Sequence, residues 1–471
     1  MKNRYGFFGL VFILLLPLSA WAVMVKPPAP HEYFSVSIFL LSNLIAVVDV
    51  LDLIVRVYFR KVQTPDPVMG RVAPTSTPLT IVSFTPYQMR LHLRPYAIIV
   101  SVYNAEKYLL SFIKAMESYR EHLWIIDDAS TDHTWEVLQK SGVHGFRAEV
   151  NRNKPGAIKH LLSLLPPEIE TVVISDPDTT IIEEGGMKQI SDLERVLFEF
   201  QQSGMDALCP RIVVKEENWL TRIQAFEYWC SFALGRKSLA DHSVNSGISV
   251  YRREALAGVL EDHSLSIYAE DLKNSLILLG HGSRIYYDGR LVFETEGKTT
   301  VRGWFSQRVG WFYGLIKVYI EHFRDVLLSS RKRPLYVYQF IIYTGLFTLL
   351  FHPLKLAALS LIFISFVNGL DNLLHLGWIP DTEWTDPWYF PLSYLSYTLL
   401  ALSYLPLAVG KKDRIRLLPV VPIYYFYALA QLIPVTVGYL NWFGLCFFKR
   451  RAFRDHYENY AKEKVNHVAN R

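Results

Sequence analysis

Cysteine is scarce in this sequence. The 471 residues contain three, Cys209, Cys230 and Cys446, and their spacing matches neither a metal site nor a disulfide framework. We therefore expect all three thiols to be reduced and structural. Net charge is also small. The formal value of +5 does not indicate nucleic-acid binding, and the Lys and Arg clusters lie beside apolar segments instead. Internal repeats and low-complexity tracts are absent as well.

Motifs of three other protein classes are missing. No Walker A sequence is present, which argues against an ATP-driven transporter. A serine hydrolase requires Gly-x-Ser-x-Gly, but the segment Gly247-Ile248-Ser249-Val250-Tyr251 lacks the last glycine of that tight turn. The 14 histidines include no His-x-x-x-His pair at the spacing of a helical metal site, which argues against a zinc enzyme.

Apolar residues are abundant, at 51% of the chain, and they concentrate at its two ends. An apolar run follows Lys2 and Arg4 and ends in small residues, so residues 1–22 are either a cleaved signal peptide or an uncleaved anchor. The stretch Tyr33–Tyr58 is long enough to span a membrane. Basic residues follow it, which predicts a cytoplasmic location for the middle of the chain.

Proline, charge and apolar runs divide the chain into successive segments. The acidic loop 381–386 should lie outside the membrane and the basic clusters inside, but prolines in the C-terminal apolar region leave the number of crossings open. The predicted segments are 1–61 for the N-terminal signal or anchor with its transmembrane helix, 62–95 for a proline-rich linker, 96–301 for a soluble domain, 302–335 for amphipathic interface helices, 336–448 for a C-terminal transmembrane region and 449–471 for a basic cytoplasmic tail.

Three short β-strands in the soluble region are each followed by polar residues. The matching segments are Ala97–Val102 followed by Tyr103-Asn104-Ala105-Glu106, Leu123–Ile126 followed by Asp127-Asp128, and Val172–Ser175 followed by Asp176-Pro177-Asp178. The segment Glu106–Tyr119 predicts a crossover helix with Asn104 as its N-cap, so the first two strands can be parallel neighbours. The polar strand ends would then meet at one edge of the sheet, where open α/β folds bind ligands.

The aspartates Asp176 and Asp178 suggest a metal site. Two carboxylates at this spacing suit a hard divalent ion such as Mg²⁺ or Mn²⁺, which takes few protein ligands and leaves positions for phosphate oxygens. Taken alone, the pair is better explained by an acidic turn in which Pro177 fixes φ. The two other polar strand ends favour a nucleotide pocket.

Two downstream segments also carry candidate chemistry. Glu270-Asp271 opens a helix-like stretch, where a carboxylate acts as a general base if it faces the pocket, or complements the helix dipole if it does not. Farther on, the amphipathic segment 299–311 carries Trp304 and Trp311 one heptad apart. This pattern is typical of a helix that lies at a membrane surface.

In their order, these motifs resemble those of the membrane-bound family 2 glycosyltransferases, a group that includes cellulose, chitin, hyaluronan and poly-N-acetylglucosamine synthases. The resemblance covers about residues 96–335 and extends to the flanking transmembrane layout. The matching segments are Tyr103-Asn104-Ala105-Glu106 for the donor base, Asp127-Asp128 for uridine, Asn153-Lys154-Pro155-Gly156-Ala157 for a lysine-bearing loop, Asp176-Pro177-Asp178 for the metal, Asn245-Ser246-Gly247 with Tyr251-Arg252-Arg253 before the catalytic base, Glu270-Asp271 for the base and Gln307-Arg308-Val309-Gly310-Trp311 for the acceptor.

The resemblance implies an inverting enzyme with a GT-A domain, a Rossmann-like α/β sheet, docked by amphipathic helices on an α-helical transmembrane bundle. It implies Asp271 as the catalytic base and a Mg²⁺ or Mn²⁺ cofactor held by Asp178 with the assistance of Asp176. The implied donor contacts are Tyr103, Asn104, Glu106, Asp127, Asp128, Lys154 and Asp176, and the implied acceptor contacts are Gln307, Arg308 and Trp311.

The chain departs from the family pattern at two positions. Ala269 replaces a threonine, and Gly310 replaces an arginine that lies near the donor diphosphate in the family. A guanidinium there would offset the charge that develops on the leaving group. Arg308 could take over this role, or it could fail to reach, because positions one and two apart on a helix do not share a face.

The resemblance therefore predicts a membrane glycosyltransferase that adds sugars from a UDP-sugar to a growing β-linked polysaccharide, with export through the membrane if it is processive. Expected partners are the donor, a polysaccharide or glycan acceptor and the lipid bilayer, without nucleic acid, and the participation of an accessory subunit stays open. The layout implies a bacterial inner-membrane protein with a cytoplasmic catalytic domain. Two alternatives stay open, a non-processive enzyme acting on a lipid or short glycan and a degenerate sugar-nucleotide-binding scaffold.

Overall fold

The computed structural model describes residues 43–62, 84–183, 190–239, 242–265, 268–323, 326–327, 336–378 and 387–445. Some of the segments predicted above lie outside these described residues. They are the signal or anchor segment 1–22, most of the linker, the acidic loop 381–386, Cys446 and the basic tail 449–471.

The chain divides into two compact units. One consists of Met1–Val55 and Tyr343–Ile433, and the other consists of Arg56–Ile342 and Pro434–Arg471. The second unit contains an eight-stranded sheet. Its strands are β1 (Tyr96–Val102), β2 (Leu123–Asp127), β3 (His144–Arg147), β4 (Thr171–Ser175), β5 (Thr179–Ile182), β6 (Ala207–Lys215), β7 (Ser249–Arg252) and β8 (Ile285–Glu296).

The sheet is mixed, with the spatial order β3-β2-β1-β4-β7-β6-β8-β5. The strands β3, β2, β1 and β4 are parallel. The strand β7 runs antiparallel to both β4 and β6. The strand β8 is parallel to β6 and antiparallel to β5. The predicted parallel pairing of the first two strands is therefore confirmed, and β4 lies on the other side of β1.

The parallel half of the sheet is built from continuous apolar runs because helices cover both of its faces. In β1, Ile98 and Val100 belong to one hydrophobic cluster, and Ala97 and Ile99 belong to the other. Alternating side chains of a strand point to opposite faces of the sheet, so the two clusters are its two covers. All four of these residues have 0% exposed surface.

Fourteen α-helices are formed by the described residues. They are α1 (Leu44–Val62), α2 (Pro86–His92), α3 (Glu106–Ala115), α4 (Thr134–Ser141), α5 (Asn153–Leu164), α6 (Asp192–Gln202), α7 (Trp219–Trp229), α8 (Arg253–Asp262), α9 (Glu270–Gly280), α10 (Val301–Glu321), α11 (His352–Leu374), α12 (Tyr389–Ala408), α13 (Arg414–Leu417) and α14 (Val421–Phe443). Shorter or irregular turns are the 3₁₀ segments Glu117–His122, Arg236–Leu239 and Leu418–Val420 and the π segments Cys230–Gly235 and Val337–Leu350.

The crossover after β1 differs from the prediction. The helix α3 ends at Ala115, and the separate 3₁₀ segment Glu117–His122 follows. The predicted N-cap Asn104 was wrong, because the N-cap is Ala105. Asn104 instead adopts a φ of 50°, which asparagine tolerates better than most residues. Its Oδ1 accepts a hydrogen bond of 2.8 Å from the backbone N–H of Thr131, so the amide joins two strand-end loops.

Within the part of the chain that the structure describes, two helical segments are long and apolar enough to cross a membrane, judged by length and composition. They are His352–Leu374 and Arg414–Phe443, and the apolar segment Val337–Leu350 is shorter. In the first unit, a hydrogen bond of 3.0 Å runs from the hydroxyl of Tyr397 to Oδ2 of Asp49 and joins α12 to α1. These helices give limited support to membrane association, and the full transmembrane bundle stays a prediction.

Candidate active site

Three strand ends meet at one edge of the sheet. The register aligns Val102 of β1 with Asp127 of β2, and Val100 of β1 with Ser175 of β4. Because β1 lies between β2 and β4, the loops that follow the three strands are neighbours. These loops carry most of the residues for which a donor-binding role was predicted.

The aspartates after β2 hold the neighbouring loops in place. Asp127 and Asp128 are 0% and 1% exposed. Oδ1 of Asp127 accepts the backbone N–H of Ser130 at 3.0 Å, and its Oδ2 lies 3.3 Å from Nε of Arg147. Oδ1 of Asp128 accepts the backbone N–H of Arg152 at 2.7 Å. Burial raises the pKa of Asp127, although its hydrogen bonds and Arg147 oppose this change.

The other predicted donor-base residues lie beside this pair. Tyr103 is half-buried, and Glu106 is exposed in the first turn of α3. Oε2 of Glu106 accepts the backbone N–H of His133 at 3.3 Å, and the N–H of Glu106 donates to Oδ2 of Asp132 at 3.3 Å. These contacts join the loop after β1 to the loop after β2. The structure therefore brings the five residues predicted from these two strand ends together.

Lys154 links Asp176, one of the two candidate metal ligands, to the segment that carries the candidate base. Its Nζ lies 2.6 Å from Oδ1 of Asp176 and 3.3 Å from Oε1 of Glu270. The same ammonium donates to the carbonyl of Gly247 at 3.3 Å. Burial lowers the pKa of Lys154, but the nearby carboxylates outweigh it and raise the pKa above its ordinary value. The side chain is therefore a lasting positive charge at the centre of the site.

Gly247 lies directly against this ion pair. A Cβ added at this position would be 3.1 Å from Oδ2 of Asp176 and 3.3 Å from Nζ of Lys154. The preceding Asn245 is completely buried, and its backbone N–H donates to Oγ of Ser275 in α9 at 2.9 Å. The Asn245-Ser246-Gly247 segment therefore forms a wall that fits closely over the Lys154–Asp176 contact. This gives a steric reason for the glycine of the motif.

The candidate base Asp271 lies in the first turn of α9, as expected. Its Oδ1 accepts the backbone N–H of Leu272 at 2.8 Å. Burial raises the pKa of Asp271, while that hydrogen bond and the positive charges of Arg236 and Lys154 oppose the change. Burial also raises the pKa of the adjacent Glu270, to about 7, with partial opposition from Lys154. The motif contained Glu270, but sequence reasoning gave it no role.

Small residues hold the start of α9 against α10. Ala269 is the N-cap of α9 and has a φ of 47°. A Cβ added at Gly314 of α10 would lie 2.9 Å from Cβ of Ala269 and 3.1 Å from its backbone nitrogen. The two backbones therefore approach too closely for a side chain at position 314. This contact fixes the position of the turn that carries Asp271.

The aspartates Asp176 and Asp178 fit a divalent cation. Asp178 is partly buried, and its Oδ1 accepts the hydroxyl of Thr179 at 3.0 Å. Burial raises the pKa of Asp178, and the negative charge of Asp176 raises it further. Two hard oxygen donors that repel each other are suited to Mg²⁺ or Mn²⁺ with phosphate oxygens as further ligands. The described residues contain no group of three or more His, Cys, Asp or Glu that could hold a metal by itself.

The acceptor motif lies on α10, where Arg308 packs against α7. Arg308 is 3% exposed, and its Nη2 lies 2.6 Å from Oε2 of Glu227. Its guanidinium is 4.2 Å from the centre of the Trp311 ring, at a distance typical of a cation–π contact. Gln307 and Trp311 are half-buried, and Gly310 is buried. The positive charge of Arg308 is therefore already paired with Glu227.

Arg236, which begins the 3₁₀ segment Arg236–Leu239, was not predicted from the sequence. Its Nε is buried without a hydrogen-bond partner among the described residues, and its guanidinium lies 4.7 Å from the ring centre of Phe232. The charge of Arg236 lowers the pKa of Asp271. No periodic pattern indicated this residue, because it follows the irregular π segment Cys230–Gly235.

Comparisons with known proteins give the family of the sheet-containing region. Residues 97–260 match the family model "Glycosyl transferase family 2". No curated protein matched the chain.

The solved structures that match the chain include a mannosyltransferase from Pyrobaculum calidifontis in complex with GDP-Man and Mn²⁺. The identity is 17% and the TM-score is 0.46, and the match covers 84% of this chain and 98% of that one. Another is glucosyl-3-phosphoglycerate synthase from Mycobacterium tuberculosis with Mn²⁺, UDP and glucosyl-3-phosphoglycerate, at 14% identity and a TM-score of 0.30, covering 52% of this chain and 85% of that one. The family match identifies residues 97–260 as a family 2 glycosyltransferase domain, and the chain is therefore a glycosyltransferase.

Proposed function

We propose that this chain transfers a sugar from a UDP-sugar to an acceptor hydroxyl in a single inverting displacement, and that the acceptor is a growing β-linked polysaccharide. The observation that carries the proposal is the position of Lys154. Its ammonium contacts Asp176, from the metal-type motif, and Glu270, which precedes the candidate base Asp271. A donor diphosphate bound near Asp176 and an acceptor hydroxyl bound near Asp271 would then be close to each other, because the single Lys154 side chain contacts both segments.

The proposed base is Asp271. As the acceptor oxygen attacks the anomeric carbon, this carboxylate takes the hydroxyl proton, and the bond to the UDP oxygen breaks. The N–H of Leu272 holds one carboxylate oxygen, which leaves the other for the acceptor. Burial strengthens the base because it raises the pKa of Asp271. The lowering effects of Arg236 and Lys154 favour the ionised form that the reaction requires.

The donor would bind at the three strand ends. Tyr103, Asn104 and Glu106 after β1, and Asp127 with Asp128 after β2, are the proposed contacts of the uridine. Asp178 and Asp176 are the proposed ligands of Mg²⁺ or Mn²⁺. Such an ion offsets negative charge on the leaving diphosphate when it is bound. The negative charge of Asp176 raises the pKa of Asp178, and this repulsion between the two carboxylates supports a divalent cation bound to both.

The acceptor would lie near Trp311 and Gln307 of α10. An aromatic face suits the C–H faces of a sugar ring, and Arg308 holds the Trp311 ring by its cation–π contact. The two helices of the described residues that could cross a membrane support membrane association. We propose that the catalytic domain is cytoplasmic at a bacterial inner membrane and that the polysaccharide product is passed outward, with or without an accessory subunit. The absence of the family arginine at Gly310 makes a lipid or short glycan acceptor the second candidate.

A donor panel tests this function. Membranes containing the chain are incubated with radiolabelled UDP-sugars and GDP-mannose, and the product is sized. We expect transfer from one UDP-sugar, loss of transfer on chelation and recovery with Mg²⁺ or Mn²⁺. Absence of transfer from every UDP-sugar, or full activity in excess chelator, would overturn the proposal.

The base is tested separately by Asp271→Asn. This change should lower transfer by about 10² to 10⁴, the usual contribution of a general base, and should leave UDP affinity within severalfold. Asp262→Asn is the matched control, because Asp262 ends the neighbouring helix α8 and its side chain is 58% exposed. Transfer by Asp271→Asn at the rate of the control would refute the assignment of the base.

A further inference from the structure

The ammonium of Lys154 is bound to the same carboxylate that is proposed to hold a metal ion. Its Nζ lies 2.6 Å from Oδ1 of Asp176, which is the distance of a strong charge-assisted hydrogen bond. A divalent ion bound to a carboxylate oxygen lies about 2.0 to 2.1 Å from it when the ion is Mg²⁺. Two cations on one carboxylate would repel each other strongly at these separations. Lys154 must therefore move if the metal ion is to bind Oδ1 of Asp176, the oxygen that the ammonium contacts.

In the same position, Lys154 has two other partners beside Asp176. Oε1 of Glu270 lies 3.3 Å from Nζ, and the carbonyl of Gly247 accepts from the same ammonium at 3.3 Å. The Glu270 side chain is 16% exposed and the Lys154 side chain is 21% exposed, so the pair is largely shielded from water. A lysine that leaves Asp176 can therefore keep an anionic partner and a carbonyl partner without crossing into solvent.

We propose that Glu270 is a positioning residue that takes Lys154 from Asp176, so that a divalent ion binds this site tightly only together with a nucleoside diphosphate. The inference rests on the proposed function and adds an order of events to it. The metal and Lys154 compete for Asp176. When the diphosphate arrives, its negative charge favours both cations at once, with the metal on the aspartates and Lys154 between Glu270 and the phosphates.

A purely structural ion pair gives different expectations. In that case the Lys154–Asp176 contact only stabilises the fold, and the effect of Glu270 on metal binding is a simple loss of nearby negative charge. Such an effect does not depend on whether Lys154 is present. The proposed transfer does depend on it, because Glu270 acts through the lysine.

The test measures Mn²⁺ binding to the full chain in detergent micelles at one fixed pH. Free Mn²⁺ is followed by electron paramagnetic resonance, with and without UDP. For the unmodified protein we expect UDP to tighten Mn²⁺ binding about tenfold or more, within the usual range of coupling between two ligands. Lys154→Gln should tighten the binding of Mn²⁺ alone by about tenfold and should reduce the gain from UDP, because the competitor is gone.

The Glu270→Gln variant and the double variant separate the proposal from simple electrostatics. Glu270→Gln should weaken the binding of Mn²⁺ alone severalfold, because Lys154 then has Asp176 as its remaining carboxylate partner and competes more strongly with the metal for it. In the Lys154→Gln background the same change should have little effect, which a double-mutant cycle measures directly. Lys159→Gln is the control. It lies on the same helix, its Nζ contacts only the carbonyl of Leu260 among the described partners, and its Mn²⁺ binding should be unchanged.

Three results would overturn the inference. They are unchanged binding of Mn²⁺ alone in Lys154→Gln, an equal effect of Glu270→Gln with and without Lys154, and no gain from UDP in the unmodified protein. If either of the first two results is found but Mn²⁺ still binds in the presence of UDP, the proposed function stands and only the role of Glu270 is refuted. If no Mn²⁺ binds even in the presence of UDP or GDP, the proposed function and the role of Glu270 are both refuted. Circular dichroism checks folding, and if Lys154→Gln does not fold, unchanged binding in Glu270→Gln alone overturns the inference.

Discussion

The substitution Gly247→Ala tests whether the Lys154–Asp176 pair is the centre of the donor site. The added Cβ would lie 3.1 Å from Oδ2 of Asp176 and 3.3 Å from Nζ of Lys154, both closer than the 3.4 to 4 Å of ordinary van der Waals contact. At least one of the two side chains must therefore move by a few tenths of an ångström. Gly247 is not among the glycines with positive φ, so alanine adds no backbone strain.

The size of the expected loss depends on which atoms must move to make room for the added methyl group. Adding a methyl group to a well-packed site typically costs about 1 to 3 kcal/mol. Both contacted atoms are the ends of side chains, which can shift more easily than backbone, so we expect the lower end of that range. The contact with Oδ2 of Asp176 carries the effect on binding, because Asp176 is a proposed metal ligand and its carboxylate would be displaced in the bound state as well. A loss of about 1 kcal/mol in binding corresponds to about fivefold weaker affinity for UDP with Mn²⁺. Transfer should fall with it, while the fold should be retained.

Titration of UDP in the presence of Mn²⁺, together with thermal unfolding, provides the assay. Gly258→Ala is the matched control, because Gly258 is exposed in α8 and no atom lies within 4 Å of the added Cβ. Alanine in an exposed helical position should stabilise the protein by about 0.5 to 1 kcal/mol without affecting UDP. If Gly247→Ala binds UDP and transfers sugar as well as Gly258→Ala does, the donor site is not centred on this ion pair.

Three further predictions concern the charges around the site and the topology of the chain. Arg236→Gln should raise the pKa of Asp271, because burial raises that pKa and the positive charge of Arg236 opposes the change. The acidic limb of the profile of kcat/KM against pH should therefore move to higher pH. An unchanged limb would refute the effect of Arg236 on the base. Arg308→Ala and Glu227→Gln should each lower the free energy of unfolding by about 3 kcal/mol, because each leaves a largely buried charge without its partner. In denaturant unfolding, the double variant should lose less than the sum of the two single losses, and strict additivity would refute the coupling. A reporter fused after Lys61 should be active only in a cytoplasmic form, and an externally active reporter would remove UDP-sugars from the domain's reach.

The strands at the site could be predicted from the sequence because their signal is local. Apolar runs such as Ala97–Val102 bury both faces, and polar residues mark the points where the strands end. The aspartates and Asn104 follow these runs directly, so parallel pairing is enough to bring them together. The conformation of a single loop residue was not predictable in this way. Asn104 was expected to cap α3 but bonds across to Thr131, a partner 27 residues away.

Contacts between distant segments were beyond the sequence because periodicity does not report which helix faces which. The hydrogen bond between Arg308 and Glu227 joins residues 81 positions apart, and the one between Lys154 and Gly247 joins residues 93 positions apart. Both depend on how α7, α10 and α5 pack on the sheet. In the sequence, Gly247 stood out only as part of a motif. The structure gives the physical reason for a glycine there, because a side chain would press against the Lys154–Asp176 ion pair.

The missing arginine at Gly310 shows how packing changes the interpretation of a motif. From sequence, Arg308 was a candidate to replace its charge. In the structure that guanidinium is paired with Glu227 and stacked on Trp311, so using it at a diphosphate would leave Glu227 without its cation. Arg236 carries no such carboxylate contact among the described ion pairs, and its charge already acts on Asp271. In the proposed site, the charge balance of the reacting groups therefore depends on Lys154 and Arg236, and Arg308 is better suited to holding Trp311, the proposed acceptor contact, in place.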